Sequence, residues 1–184
     1  MARAVVVLAE GFEEMEAVIV IDVLRRAGVE VTTVGVGGRQ VEGAHALTLV
    51  ADALVEEAPR EVDAVVLPGG MPGAEHLAAS GAVTALLRAV HDGGGIVAAI
   101  CAAPAVALAP TGLLAGRRAT CYPGFEARFP GDVTAIDAPV VVDGPFVTSR
   151  GPGTAFAFAL ALVERLVSPE GAADLGRRML VDAG

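Results

Sequence analysis

The sequence predicts an α/β fold, a three-layer sandwich with a mostly parallel central sheet, and three observations carry that expectation. Valine-rich runs alternate with helix-period apolar patterns. The runs are continuously apolar, as strands buried on both faces require. Their ends meet glycine and proline turns. Taken in order, Arg3 to Ala9 reads as a buried strand, Met15 to Ala27 as a helix ended by Gly28, and Val29 to Val36 as a second strand. A hairpin-like stretch spans Gln40 to Val50. Val62 to Leu67 is a strand stopping at Pro68-Gly69-Gly70, and Ala82 to His91 a helix closed by Asp92 and three glycines. Ile96 to Ile100 is a strand, with a helix starting over Ala102 to Ala109. Arg117 to Cys121, Val140 to Val142 and Phe146 to Ser149 read as further strands, Thr154 to Val167 as an apolar helix, and Pro169 opens the last one. Repeated strand-then-helix units bury a sheet on both faces.

Composition narrows the function. The 184 residues, 54% hydrophobic, suffice for one domain spanning 1–184. A net charge of -9 repels phosphate backbones and acidic headgroups, which argues against nucleic acid and membrane partners. The apolar run Ala4 to Ala9 is too short for a signal peptide, and no stretch approaches the roughly 18 apolar residues of a membrane span. A soluble, cytoplasmic protein is expected. The chain has no lysine, so Schiff-base chemistry and a P-loop are excluded. Two cysteines, Cys101 and Cys121, are too few for a disulfide framework and read as reduced thiols.

In a parallel sheet, ligands gather beyond the carboxyl ends of the strands. Three segments reach that edge: Glu10 to Glu14, the PGGMPGA loop (68 to 74), and Cys101 in IVAAICAAPAVALA. The glycines at 93 to 95 precede a strand and belong at the opposite edge. Cys101 stands where strand meets helix, flanked by Ala99 and Ala103, with Pro104 in the first helical turn. This has the physical logic of a nucleophile elbow with sulfur in place of a hydroxyl. Unpaired N–H groups there are expected to lower the thiol pKa towards neutrality. Gly69, Gly70 and Ala102 offer backbone N–H groups for a developing oxyanion. A buried, space-filling cysteine and an ordinary glycine-proline turn are the bland alternatives.

A base for that thiol is harder to find. The histidines are His45, His76 and His91, none in the last half of the chain, where a thiol protease or class I glutaminase carries its base. His91 ends a helix and His76 is expected to face solvent. Histidine spacing fits no metal motif, so no zinc and no cofactor are expected. The acid cluster EGFEEMEA (10 to 17) is an alternative. Three of its glutamates read as surface charge matched to a helix dipole. Glu16 shares a helical stripe with Val20 and Val23, where apolar surroundings would keep it protonated beside a thiolate. Periodicity does not separate Glu13 from Glu16.

The segments EEMEAVIVIDVLRRAG, DAVVLPGGMPGAE, IVAAICAAPA and TSRGPGTAFAFALALVE, in this order, resemble the ThiJ/PfpI superfamily, in particular the branch of the Parkinson-associated deglycase and its bacterial relatives. The resemblance covers almost the whole chain. It implies a flavodoxin-like sandwich, a homodimer, and a nucleophilic or oxidisable cysteine, here Cys101, hydrogen-bonded to a protonated glutamate, here Glu16. Gly70 and Ala102 take the place of the family's backbone donors. Arg26 and the segment Arg150-Gly151-Pro152 match positions near its subunit interface and active-site mouth. The protease-like branch has histidine directly after its cysteine; here that residue is Ala102, which argues against a peptidase. Some members have histidine where this chain has Tyr122, and arginine near where it has His45, so contacts to substrate differ at these two positions.

These readings converge on a cofactor-free, cysteine-dependent glyoxalase or deglycase acting on small reactive aldehydes or glycated proteins. The alternative is a redox-responsive stress or chaperone-like protein working through oxidation of Cys101 without turnover. A third reading is a binding domain in which GPGTAF (151 to 156) holds an anion at a helix start. Cys121 is expected to pack in or near the site.

Overall fold

The computed structural model describes residues 1–181. Along the chain run β1 (Arg3–Leu8), α1 (Glu14–Arg26), β2 (Glu30–Gly35), β3 (Gln40–Glu42), β4 (Thr48–Val50), β5 (Ala53–Leu54), β6 (Ala64–Leu67), α2 (Gly73–Ala79) and α3 (Gly81–Asp92). After these come β7 (Ile96–Ile100), β8 (Arg118–Ala119), β9 (Thr134–Ala135), β10 (Val140–Asp143), β11 (Phe146–Ser149), α4 (Ala155–Leu166) and α5 (Pro169–Arg178).

Seven strands form the central sheet in the order β10-β11-β7-β6-β1-β2-β5, parallel except for the β10–β11 pair. Without its two edge strands this is the 2-1-3-4-5 order of a flavodoxin-like sheet. Alternate residues feed two cores. Val6, Leu8, Val66 and Ile100 face α1, α4 and α5, while Val5, Val7, Val65 and Leu67 face α2 and α3. Burial on both faces is why these strands read as unbroken apolar runs.

Several elements differ from the sequence reading, among them α2 and β9, which it did not name. The helix after Cys101 is a widened turn over Pro104–Leu108, in which Ala109 N–H reaches back to Pro104 C=O. Pro110, with no N–H to donate, follows directly. Residues 118–119 form a separate two-stranded parallel sheet with β9 instead of joining the main one. The two-residue edge strand β5 carries too little pattern to be seen in the sequence.

The strand order reverses between β1 and β6, and there the loops after both strands lie side by side. Glu13 N–H donates to Gly69 C=O at 2.9 Å, and Gly73 N–H to Gly11 C=O at 3.3 Å. Cys101 follows β7, the next strand along, at the same edge. A cavity of about 500 Å³ lies at the opposite edge among Met1, Asp63, Gly93–Gly95 and Arg165. That edge is away from the thiol, as the turn reading of these glycines expects.

Candidate active site

Cys101 sits at φ 64°, in the left-handed region that a side-chain-bearing residue enters at a cost of about 1–3 kcal/mol. Both its backbone groups are pinned. Its N–H donates to Ser149 C=O at 3.0 Å, and its C=O accepts from Tyr122 N–H at 2.8 Å. The side chain therefore projects at an elbow, with Ala99, Ala102 and Ala103 buried around it. The small flanks seen in the sequence are what permit this tight bend.

Glu16, fully buried on α1, reaches across to this elbow. Its Oε2 accepts the Gly69 N–H at 2.7 Å, while Oε1 is buried with no hydrogen-bond partner among the described residues. Gly69 packs against both Cys101 and this carboxyl. A Cβ there would lie 2.5 Å from Cys101 Cβ and 3.0 Å from Glu16 Oε2, so only glycine fits. The thiol and the carboxyl interact, but without the geometry of a formed hydrogen bond. The choice between Glu13 and Glu16 is thereby made. Glu13 caps α1 through Met15 N–H at 3.4 Å and lies only near enough to act on Glu16 through its charge.

The protonation states differ from the expectation of a thiolate beside a neutral acid. Burial pushes the Glu16 carboxyl up to about 7, against the Gly69 N–H. The Cys101 thiol is also pushed up, to about 12, by burial first and the Glu16 charge second. The Gly70 and Ala102 N–H groups do bear on the sulfur and pull it down, but they are outweighed. Low access to water defeats the helix-start effect. The Glu16 contribution exists only while Glu16 is ionised, so the pair shares a proton that sits on sulfur when the carboxyl is charged. Gly69 is not available as an oxyanion donor, because its N–H is spent on Glu16. Gly70 and Ala102 remain.

The other sequence-selected residues divide into two groups. Arg150 and Pro152 follow β11 beside the elbow. The Arg150 guanidinium pairs with Asp137, and Pro152 opens a short turn to Thr154. Tyr122 covers Gly151, where a Cβ would meet its ring at 3.2 Å, and remains half exposed at the mouth. Thr154 Oγ1 accepts the Gly151 N–H at 3.1 Å, which leaves that group unavailable to an anion. Arg26 is not brought to the site. It lies ten residues beyond Glu16 on α1, about 15 Å along the axis, and pairs with Asp22. His45 is engaged by Glu14 and not by Cys101, and His76 is exposed with Nδ1 2.8 Å from Glu10 C=O. Cys121 is buried in the strand-like segment beside Cys101, its thiol raised to about 12 by burial, then by Glu126, against Arg150.

Sequence reasoning missed Glu14. Read as surface charge, it is only 4% exposed, because the 43–47 turn folds over it. Its Oε1 accepts His45 N–H at 2.6 Å and Leu47 N–H at 3.4 Å, and its Oε2 lies 2.9 Å from His45 Nδ1. Burial raises this carboxyl, but the hydrogen bonds from His45 and Leu47 together bring it below the usual range. The only sequence signal was a histidine and an acidic cluster 31 residues apart. Glu13, Glu14 and His45 also hold donor atoms within 4.8 Å of one another, the residue types that bind a divalent ion. Hydrogen bonds within the trio and to the backbone already use them.

Comparison with known proteins bears on the family and the fold. The DJ-1/PfpI family model matches residues 2–165. The chain is 43% identical to protein dj-1beta of Drosophila melanogaster over 97% of this chain and 96% of that one. It is 36% identical to glutathione-independent glyoxalase DJR-1.2 of Caenorhabditis elegans, over 88% and 86% of the two chains. A solved structure of oxidised Toxoplasma gondii DJ-1 superposes with a TM-score of 0.92 at 40% identity, covering 98% of each chain. The chain belongs to the DJ-1/PfpI family.

Proposed function

We propose that the protein is a cofactor-free, cysteine-dependent glyoxalase or deglycase whose reacting groups are Cys101 and Glu16. The observation that carries this reading is the buried thiol–carboxyl pair, with Oε1 of Glu16 unpartnered among the described residues and two backbone N–H groups at the sulfur. The glyoxalase named among its relatives supports the same chemistry. In the ionised state, Glu16 takes the Cys101 proton as sulfur bonds to the aldehyde carbon of methylglyoxal. Gly70 and Ala102 N–H groups stabilise the oxygen that becomes negative. Protonation of that oxygen gives a hemithioacetal. Glu16 then moves a proton from C1 to C2 through an enediol, leaving a lactoyl thioester on Cys101. Water cleaves the carbon–sulfur bond, giving lactate and the free thiol, so the sum is methylglyoxal plus water to lactic acid. On a glycated protein, sulfur displaces the protein amine from the carbinolamine carbon: the C–S bond forms as the C–N bond breaks, Glu16 passes the thiol proton to the leaving nitrogen, and the same hemithioacetal results. Lactate formation from methylglyoxal without glutathione tests this: wild type is active and Cys101→Ala is not. Equal rates in the two sink it.

A homodimer in the cytoplasm is part of the proposal. Met15 and Val18 on α1, with Leu47 and Val50 on the β3–β4 hairpin, are 46–63% exposed apolar residues on adjoining elements. Such a patch marks a partner surface. Sedimentation of wild type and Val50→Asp checks it, the variant expected as monomer. For localisation the support is limited to the described residues, none of whose helices is long and apolar enough to cross a membrane.

A second reading is favoured by the oxidised Toxoplasma relative. Two equivalents of peroxide convert Cys101 to sulfinate with release of two waters, and the product is held by Gly70 and Ala102 N–H groups in a stress-responsive, chaperone-like protein. Mass spectrometry after mild peroxide is expected to find oxygen on Cys101 and none on Cys121.

A further inference from the structure

One buried acid has no part in the chemistry above. Glu14 is covered by the 43–47 turn and accepts two of its backbone N–H groups, with the His45 ring on its second oxygen. The hairpin it holds is tied in turn to the loop after β1: Gly11 N–H donates to Glu42 C=O at 2.8 Å, and Ala44 N–H to Phe12 C=O at 2.8 Å. That loop holds the next one. Glu13 N–H donates to Gly69 C=O, and a Cβ on Gly70 would lie 2.4 Å from Glu13 N and 2.5 Å from Gly11 O. The clamped segment carries the Gly69 N–H on Glu16 and the Gly70 N–H that bears on Cys101.

We propose that Glu14 is a positioning residue: its carboxylate fastens the 43–47 turn to the first turn of α1, and through the 10–13 loop fixes where the Gly69 and Gly70 N–H groups point. The chain of contacts is continuous, every link is a hydrogen bond or a backbone contact too close for a side chain, and none passes through the reacting atoms. The kinetic part rests on the proposed glyoxalase chemistry. The positional part does not.

The experiment compares Glu14→Ala and Glu14→Gln in the full chain. Removing the acceptor lets the donors drift, and a displacement of order 1 Å at such a site costs up to about a hundredfold in rate. Glu14→Ala is therefore expected to lose about tenfold or more in kcat with KM within about twofold. Without a well-aimed Gly70 N–H, its pH profile for iodoacetamide labelling of Cys101 shifts to higher pH. Glu14→Gln keeps an oxygen for the His45 and Leu47 N–H groups and is expected to recover most of both. A merely structural role lowers the melting temperature but leaves the labelling profile of the folded protein in place. That result in Glu14→Ala overturns the proposal, as does equal impairment of the alanine and glutamine variants. Should Glu14→Ala not fold, Glu14→Asp, which withdraws the carboxylate by one methylene, decides the matter on the same profile. Labelling needs no turnover. A wild type that makes no lactate defeats the glyoxalase reading alone, whereas an active wild type matched in kcat and labelling profile by Glu14→Ala defeats the positioning role alone.

Discussion

Glu16→Gln separates two accounts of where the shared proton sits, because they predict opposite signs. The substitution keeps an oxygen for the Gly69 N–H at near-constant shape and removes the charge. The carboxylate and the thiol act directly on each other, and a unit charge within about 4–6 Å in an effective dielectric of about 20 is worth about 3 kcal/mol or more, or about two pKa units. The Cys101 thiol in the variant is therefore expected to fall by about two units from a wild-type value raised to about 12. At pH 8.5, where wild-type Glu16 is ionised, the thiolate fraction rises about a hundredfold; the weaker nucleophilicity of a more acidic thiol offsets about tenfold of this, for a net gain of about tenfold in labelling rate. Turnover moves the other way, down about 10²- to 10⁴-fold, because the proton acceptor is gone. Below pH 7 wild-type Glu16 itself becomes protonated, and the difference in labelling narrows. Alkylation of Cys101 by iodoacetamide, followed by mass spectrometry across pH 6 to 10, reads all of this. A labelling rate in Glu16→Gln equal to or below wild type at pH 8.5 refutes the reasoning and restores a thiolate stabilised by a neutral acid.

The remaining predictions use the same groups. The folded-state pKa of Glu16 is raised from 4.5 to about 7, so the folded protein holds an extra proton between these values. Its contribution is complete below about pH 4.5 and lost as pH rises through 7, amounting to a few kcal/mol; melting curves of wild type are expected to fall over this window relative to Glu16→Gln. Gly69→Ala forces a Cβ to 2.5 Å from that of Cys101 and is expected to cost about 1–3 kcal/mol in denaturant melts while abolishing activity. Cys121→Ser, at a buried thiol with no raised reactivity, is expected to keep methylglyoxal turnover within a fewfold of wild type, the loss confined to stability.

What the sequence disclosed about the site was the part governed by local sterics. Alanines at 99 and 103 and proline at 104 announce a bend that only small neighbours allow, and Cys101 does adopt a left-handed backbone there. The helical stripe with Val20 and Val23 correctly turned Glu16 inward. Glu14 escaped because its burial comes from a turn 31 residues away, and no local periodicity encodes that cover. Arg26, matched to a position near the family's subunit interface and active-site mouth, lies away from Cys101 within one chain. Its position in the family motif said nothing of its distance from Cys101, which the rise of α1 sets.

The direction of the thiol shift was illegible for a further physical reason. A helix-start position and a nearby acid are both visible in sequence, and each acts over a few ångströms through named groups. Desolvation is collective: it is the sum over every apolar residue that excludes water from the pair, drawn here from β1, β6, β7 and α1. At this elbow the collective contribution exceeds the two N–H groups, so the thiol is pushed up, and in the proposed chemistry its proton leaves only to Glu16. A site built this way keeps its thiol quiet towards casual electrophiles in the resting state and makes reactivity depend on a base packed against the same glycine. That dependence is why the charge on Glu16, and not the acidity of Cys101 alone, governs the chemistry proposed for this chain.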